Sequence, residues 1–175
     1  MKLSELMQGK TPSASFEGFS TADDMVLAID FTGTLSSPSD YDDYIVAQVG
    51  ITEQSGSLSA QTQDSQYLRT GSVSIKTGTS RSFNITGDRY TGDSFQDAIL
   101  AHAIKYGTGQ EVIKSYVYFN MLTGKGEKGK VSIAVADDLS GAAGDNAGFS
   151  VTLSSTVKPE EYTYTPPTPD PPAGG

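Results

Sequence analysis

The chain has no cysteine, no tryptophan and one histidine, and its 12 Lys and Arg stand against 21 Asp and Glu over 175 residues. Without cysteine there is no disulfide framework and no thiolate metal site, which suits assembly in a reducing compartment. No run approaches the ~18 apolar residues of a membrane span. The opening MKLSELMQGK lacks the apolar core of a secretory signal. The shortage of cations leaves a net charge of −9. A surface of that sign repels phosphate and argues against sequence-reading nucleic-acid binding, but it does not exclude a surface along which DNA slides without sticking. The acids are unevenly placed: residues 1–70 hold ten against Lys2, Lys10 and Arg69.

The hydrophobic fraction of 36% permits a core with little apolar surplus. Residues 1–20 have no period and read as an extended arm. At the other end, 158–175 carries all but two of the eight prolines. Proline removes backbone donors, so this tail reads as extended and excluded from core strands. The folded unit spans 21–157, and its signals are those of strands. Met25–Phe31 and Tyr44–Thr52 are apolar and β-branched. Val73, Ile75, Phe83 and Ile85 share odd parity, fitting one long strand or a hairpin turning near Gly78. Tyr116–Met121, Val131–Val135 and Phe149–Leu153 alternate with period 2.

One segment departs from this pattern. Ser94–Tyr106 places Phe95, Ile99 and Ala103 on one stripe, with Asp93 as N-cap, Gln96 closing a capping box and Gly107 as a left-handed C-cap. The reading is a mostly β fold, an antiparallel sandwich or barrel with one flanking helix over about 94–106. Between the strands, 53–70 is rich in Gln, Ser and Thr without periodicity and reads as a long loop; Tyr67, Leu68 and Arg69 give it interface-type groups.

Chemistry-bearing patterns are weak. Gly124, Gly126 and Gly129 spell G-x-G-x-x-G beside Lys125, Lys128 and Lys130, but strands flank them on both sides, so they read as a hairpin turn. His102 lacks an acid or nucleophile partner. Asp137, Asp138, Asp145 and Asn146 lack the spacing of a calcium loop, Asp42 and Asp43 read as a strand start, and the sequon at Asn84 is incidental. The expectation is a non-enzyme with no cofactor and no metal.

The strings YIVAQVG at 44–50, QTQDSQYLRTG at 61–71, SIKTGTSRSFNITGDRYTGDSFQDAI at 74–99, IKYGTG at 104–109 and YVYFN-LTGKGEKG at 116–129 resemble phage major tail tube proteins, more narrowly those of long, non-contractile tails. The resemblance runs over about 44–157. It implies a β-sandwich or barrel whose copies join into hexameric rings that stack into a tube. Such a tube surrounds a tape-measure protein, contacts tail terminator and tail-tip proteins, and later conducts DNA. The chain would then reside in the virion tail, and in the host cytoplasm during assembly. By the same resemblance the loop at 53–70 carries inter-subunit contacts, with Gln54, Gln61, Gln63, Asp64, Tyr67, Leu68 and Arg69 as candidates.

Two alternatives stand beside this reading. One is the tube of a contractile tail, bacteriocin or type VI-like injection system. The other is a monomeric carbohydrate-binding sandwich displaying Tyr116 and Tyr118. A DNA conduit needs an inner wall that is negative or neutral, which residues 1–70 would supply, with Lys125, Lys128 and Lys130 outside it or at contacts.

Overall fold

The computed structural model of the chain describes residues 1–166. In chain order its elements are α1 (Leu3–Met7), β1 (Met25–Ile29), β2 (Ile45–Val46), β3 (Ile51–Tyr67), β4 (Gly71–Asp88), α2 (Ser94–Ile99), α3 (His102–Tyr106), β5 (Ile113–Asn120), β6 (Lys125–Ser140), β7 (Gly148–Ser155) and β8 (Glu160–Thr163). The strands form one eight-stranded sheet in the order β2-β1-β5-β6-β7-β4-β3, with β8 added beside β6. Every pairing is antiparallel. The fold is therefore mostly antiparallel β with its helical segment at 94–106, as the period-2 signals require.

The sheet curls. Leu27 and Ile29 of β1 meet Phe83 and Ile85 of β4 in one core although three strands separate β1 from β4 in the sheet. Val131 and Ile133 of β6 and Phe149, Val151 and Leu153 of β7 fill the same interior, and Phe95, Ile99 and Ile104 from the helical segment close it. On the outer side of β1, β2 and β5 a second cluster joins Leu3 and Met7 of α1 to Val26, Ala28, Val46, Val117, Phe119 and Tyr164. β1 is buried on both faces, which is why its sequence is an unbroken apolar run rather than an alternation.

Four local expectations change. The arm at 1–20 contains α1, one turn long and too short to show a period. Leu3 and Met7, four apart, share its buried face, and the Lys2 amide donates to Glu5 Oε2 at 2.9 Å. The segment 53–70 is strand as far as Tyr67, with a turn over 68–70, rather than one long loop. It is polar on both faces because both meet solvent, so no period betrays it. In the tail, the proline-free stretch between Pro159 and Pro166 keeps its backbone donors and forms β8, and Tyr164 beyond it is buried. The remaining tail, 167–175, lies outside the described residues. Asp42 and Asp43 belong to a 3-10 turn over Tyr41–Asp43, not to a strand start.

The helical segment is interrupted where Ala101 takes extended geometry with ψ 148°. Asp93 caps α2 by accepting from the Phe95 and Gln96 amides at 3.1 and 3.0 Å. Gln96 does not close a capping box. Its amide group donates to the carbonyls of Val49 at 2.6 Å and Asp88 at 3.1 Å and accepts from the Tyr90 amide at 2.7 Å, tying α2 to the start of β3 and the end of β4. Gly50 at this junction has φ +69°, and a Cβ there would fall 2.4 Å from the Asp88 carbonyl. Gly107 has φ −67° and is no left-handed cap.

Two substitutions test this core. Leu3→Ala should lower stability by about 2–5 kcal/mol, the usual cost of a vacated buried leucine. Ile99→Asp places a charge at a fully buried position and should abolish the cooperative thermal transition. Unfolding curves followed by circular dichroism check both.

Candidate assembly surface

β7 pairs β4 only over Ser82–Asp88, whereas β3 follows β4 to its far end at the Tyr67–Gly71 pair. Gly71–Arg81 and its partners on β3 therefore leave the body as a two-stranded ribbon, about 35 Å long at ~3.3 Å per residue. Almost every side chain beyond Arg81 is solvent-exposed, including Leu58, Tyr67, Leu68 and Ile75. Two strands without a third or a covering layer are marginal alone in water.

Register assigns the ribbon's faces, because directly opposed residues point the same way. Gly56 opposes Phe83, Leu58 opposes Arg81 and Ala60 opposes Thr79, all on the core side. Ser55, Ser57 and Ser59 oppose Asn84, Ser82 and Ser80 on the other side. Gln61 then opposes Gly78 but Thr62 opposes Lys76, leaving Thr77 as a bulge. The bulge moves Ile75 and Val73, opposite Gln63 and Ser65, to the face away from the core. The shared parity of Val73, Ile75, Phe83 and Ile85 thus misleads: one strand spans them, but they occupy two faces.

Arg81 anchors the ribbon at its root. Its Nε donates to Glu127 Oε1 on β6 at 2.6 Å, and its guanidinium lies 4.3 Å from the Phe83 ring centre and 5.0 Å from that of Tyr118. The Tyr116 hydroxyl donates to the same carboxylate oxygen at 3.3 Å. Gly56 leaves room for this cation, since a Cβ would sit 3.0 Å from a guanidinium nitrogen. Tyr116 and Tyr118 point into this inner side and Tyr116 is buried, so they do not form an exposed aromatic platform.

Among the described residues two long strand edges lack partners. β3 pairs only β4, which leaves its whole outer edge open. β6 loses β5 beyond Ser132 and continues to Ser140 with β7 on one side alone. These edges bound a four-strand unit, β6-β7-β4-β3, whose outer face no helix or strand among the described residues covers.

The candidate contact residues divide along the ribbon. Gln54 sits at the root and donates to the Met25 carbonyl at 3.4 Å. Gln61 and Gln63 lie on the bare face, Asp64 on the opposite one, and Tyr67, Leu68 and Arg69 form the tip, where Arg69 has φ 71°. Sequence reasoning missed Arg81, Glu127 and the β6 edge; the alternation of Val131–Val135 carries no mark of where its partner strand stops.

The remaining motifs do not converge. His102 packs its ring 4.7 Å from that of Tyr106. Gly124 forms the β5–β6 turn at φ +72°, and Gly126 and Gly129 lie in β6. Asp138 accepts from Lys105 Nζ at 2.9 Å while its neighbour Asp137 faces the other way. A cleft of about 420 Å³ is lined by Asp30, Leu35, Glu111 and Lys114. In it the Asp30 carboxylate accepts from the amides of Thr32, Gly33 and Ser39 at 3.0, 2.7 and 2.9 Å. Burial acts to raise its pKa, and those amides together outweigh it, leaving the carboxyl below its ordinary value. The stabilisation is thus complete above the unfolded value near ~4 and is lost as pH falls through the folded one.

Arg81→Met, which strands the Glu127 carboxylate, should cost about 3 kcal/mol, and adding Glu127→Gln should restore part of it. Arg81→Lys keeps the charge but loses the planar stacking and should fall between. Denaturant midpoints of the four proteins provide the check.

No protein-family model matches the chain, and no curated protein matches it in sequence. Solved structures do. A chain from the tail of an empty gene transfer agent particle, determined with C6 symmetry, superposes with a TM-score of 0.59 at 15% identity, covering 83% of this chain and 100% of that one. A chain from the virion of the native gene transfer agent particle gives 0.57 at 14% identity over 83% of this chain and 100% of that one. An anti-feeding prophage cap chain, at 10% identity and a TM-score of 0.49 over 86% and 95%, is too distant to bear on the fold. With its curled antiparallel sheet, helical segment and projecting ribbon, this chain has the fold of a chain in a gene transfer agent tail.

Proposed function

We propose that the protein is the structural subunit of a tail tube of the long, non-contractile kind, built from stacked hexameric rings. The observation that carries this reading is the pair of open edges on one four-strand unit. The β3 edge and the β6 edge are different surfaces, so copies join head to tail, and such contacts close into a ring when the rotation fits. The sixfold symmetry of the similar tail supports a reading with six copies per ring. Four strands from each of six copies, ~4.8 Å apart, give a barrel at least ~18 Å in radius, wide enough for a nucleic-acid duplex.

The core fills one side of these strands, so the bare face lines the channel. The ribbon's length then comes to lie between neighbours, where its unpaired backbone finds partners, and its tip of Tyr67, Leu68 and Arg69 reaches the adjacent subunit or ring. A tape-measure protein would occupy the channel during assembly, with DNA following it, and terminator and tip proteins would close the ends in the virion.

Replacing residues 60–79 by Asn-Gly closes the hairpin at the Ser59–Ser80 pair and preserves Arg81. The expected product is a folded monomer with an unchanged core that forms neither rings nor tubes by negative-stain microscopy and sedimentation. Normal tubes from this variant would overturn the reading, and a sheath protein co-purifying with wild-type tubes would favour the contractile alternative.

A further inference from the structure

The bare face has an uneven charge pattern. Across β6, β7, β4 and β3 it presents hydroxyls and amides, among them Ser132, Thr152, Ser154, Ser82, Asn84 and Ser57, without a charged side chain. Thr152 Oγ1 donates to Asn84 Oδ1 at 3.2 Å within this field. The carboxylates gather at one end. Glu53 opposes Thr86, Thr86 opposes Ser150, and Ser150 opposes Asp137, so Glu53 and Asp137 end one cross-strand row at the two edges of the unit. Asp88, opposite Gly148, lies in the next row on the same face and accepts from Asn146 Nδ2 at 3.1 Å. Lys10 lines the cleft beside Glu53, and Lys130 stands at the far end of β6, beyond Ser132.

The acids of residues 1–70 contribute only Glu53 to this face. Asp40, Asp42 and Asp43 line a different cleft, beside β8.

We propose that the wall meets a passing polyanionic duplex through an uncharged hydroxyl and amide field. Repulsion of its phosphates is concentrated in one collar, built by Glu53, Asp88 and Asp137 of each copy. This inference rests on the tube reading above. A field without lysine or arginine offers no phosphate a cation, so passage requires no counterion exchange along most of the wall. At ~8 Å of screening in 0.15 M salt the collar acts only on the stretch of duplex inside it. The row reaches both edges of the unit, so head-to-tail closure makes it continuous around the ring.

Two triple variants with the same change in net charge separate location from total charge. One is Glu53→Gln, Asp88→Asn, Asp137→Asn; the other is Asp40→Asn, Asp42→Asn, Glu161→Gln, in the cleft beside β8 and away from the bare face. Tubes of each, confirmed by microscopy, are mixed at low salt with a short fluorescent DNA duplex and treated with nuclease. The collar variant should protect several-fold more DNA than wild type, and the distal variant no more than wild type. Equal gains in both variants, no gain in the collar variant, or strong protection by wild-type tubes would overturn the inference while leaving the tube reading intact.

Where the collar triple does not assemble, charge is added after assembly. The chain lacks cysteine, so Ser82→Cys or Thr152→Cys tubes can be modified with aminoethyl methanethiosulfonate, with Ser74→Cys on the ribbon's other face as control. Cationic groups in the field should raise protected DNA by an order of magnitude at low salt and release it as salt rises. No change at Ser82 or Thr152, or an equal rise at Ser74, would overturn the inference. Failure of wild-type protein itself to form tubes would remove the tube reading and the inference with it.

Discussion

A backbone amide or carbonyl away from water must find a partner, and the arrangement of this protein follows from where its own strands stop supplying one. Within the body β4 is hydrogen-bonded to β3 and β7, and β6 to β5 and β7, until β7 ends beside Ser82 and β5 ends beside Ser132. Past those points β4 and β6 run on. Long, flat, exposed edges are ordinarily blunted by proline, charge or a covering segment. Here β3 has no proline over its length and only Glu53 and Asp64 as charges. The edge is left available: the ribbon is marginal alone and would gain its missing partners in the ring proposed above.

The buried ion pair at the ribbon root serves geometry more than energy. A well-packed apolar pair would often stabilise as much. Arg81, however, is held by a carboxylate on β6 and by two aromatic faces, and it sits where β4 loses β7. A planar cation fixed in three directions limits the angle at which the ribbon leaves the body. That restraint would reduce the conformational freedom to be lost when copies meet in the proposed ring.

Much of the body was legible in the sequence. Val131, Ile133, Phe149, Val151 and Leu153 alternate because one face is core, and Phe95 and Ile99 reveal the helical segment by their spacing. What escaped detection has a common physical cause: the hydrophobic period reports burial, not backbone conformation. β3 is strand with both faces wet, so its Gln and Ser residues read as loop. α1 contributes two buried side chains, too few for a period. Parity failed at Thr77 because a single bulged residue reverses the face of everything beyond it. The candidate contacts from Gln61 to Arg69 fall on the ribbon for the same reason they looked like loop: nothing inside the subunit covers them, whereas Gln54 is half-buried at the root. Arg81 and Glu127 lie 46 positions apart and meet only through the sheet order.

In the ring proposed above, the unlike edges of the four-strand unit also govern how association proceeds. A chain of copies joined β3 to β6 always retains one open edge of each type, whatever its length. Only the closing contact removes both, and it joins surfaces already held on the same object, without a further loss of translational freedom. Partial arcs are therefore poor resting states, and the population divides between free subunits and complete rings. Ring formation should show a threshold in protein concentration and a lag, the behaviour of a nucleated process rather than of stepwise dimerisation.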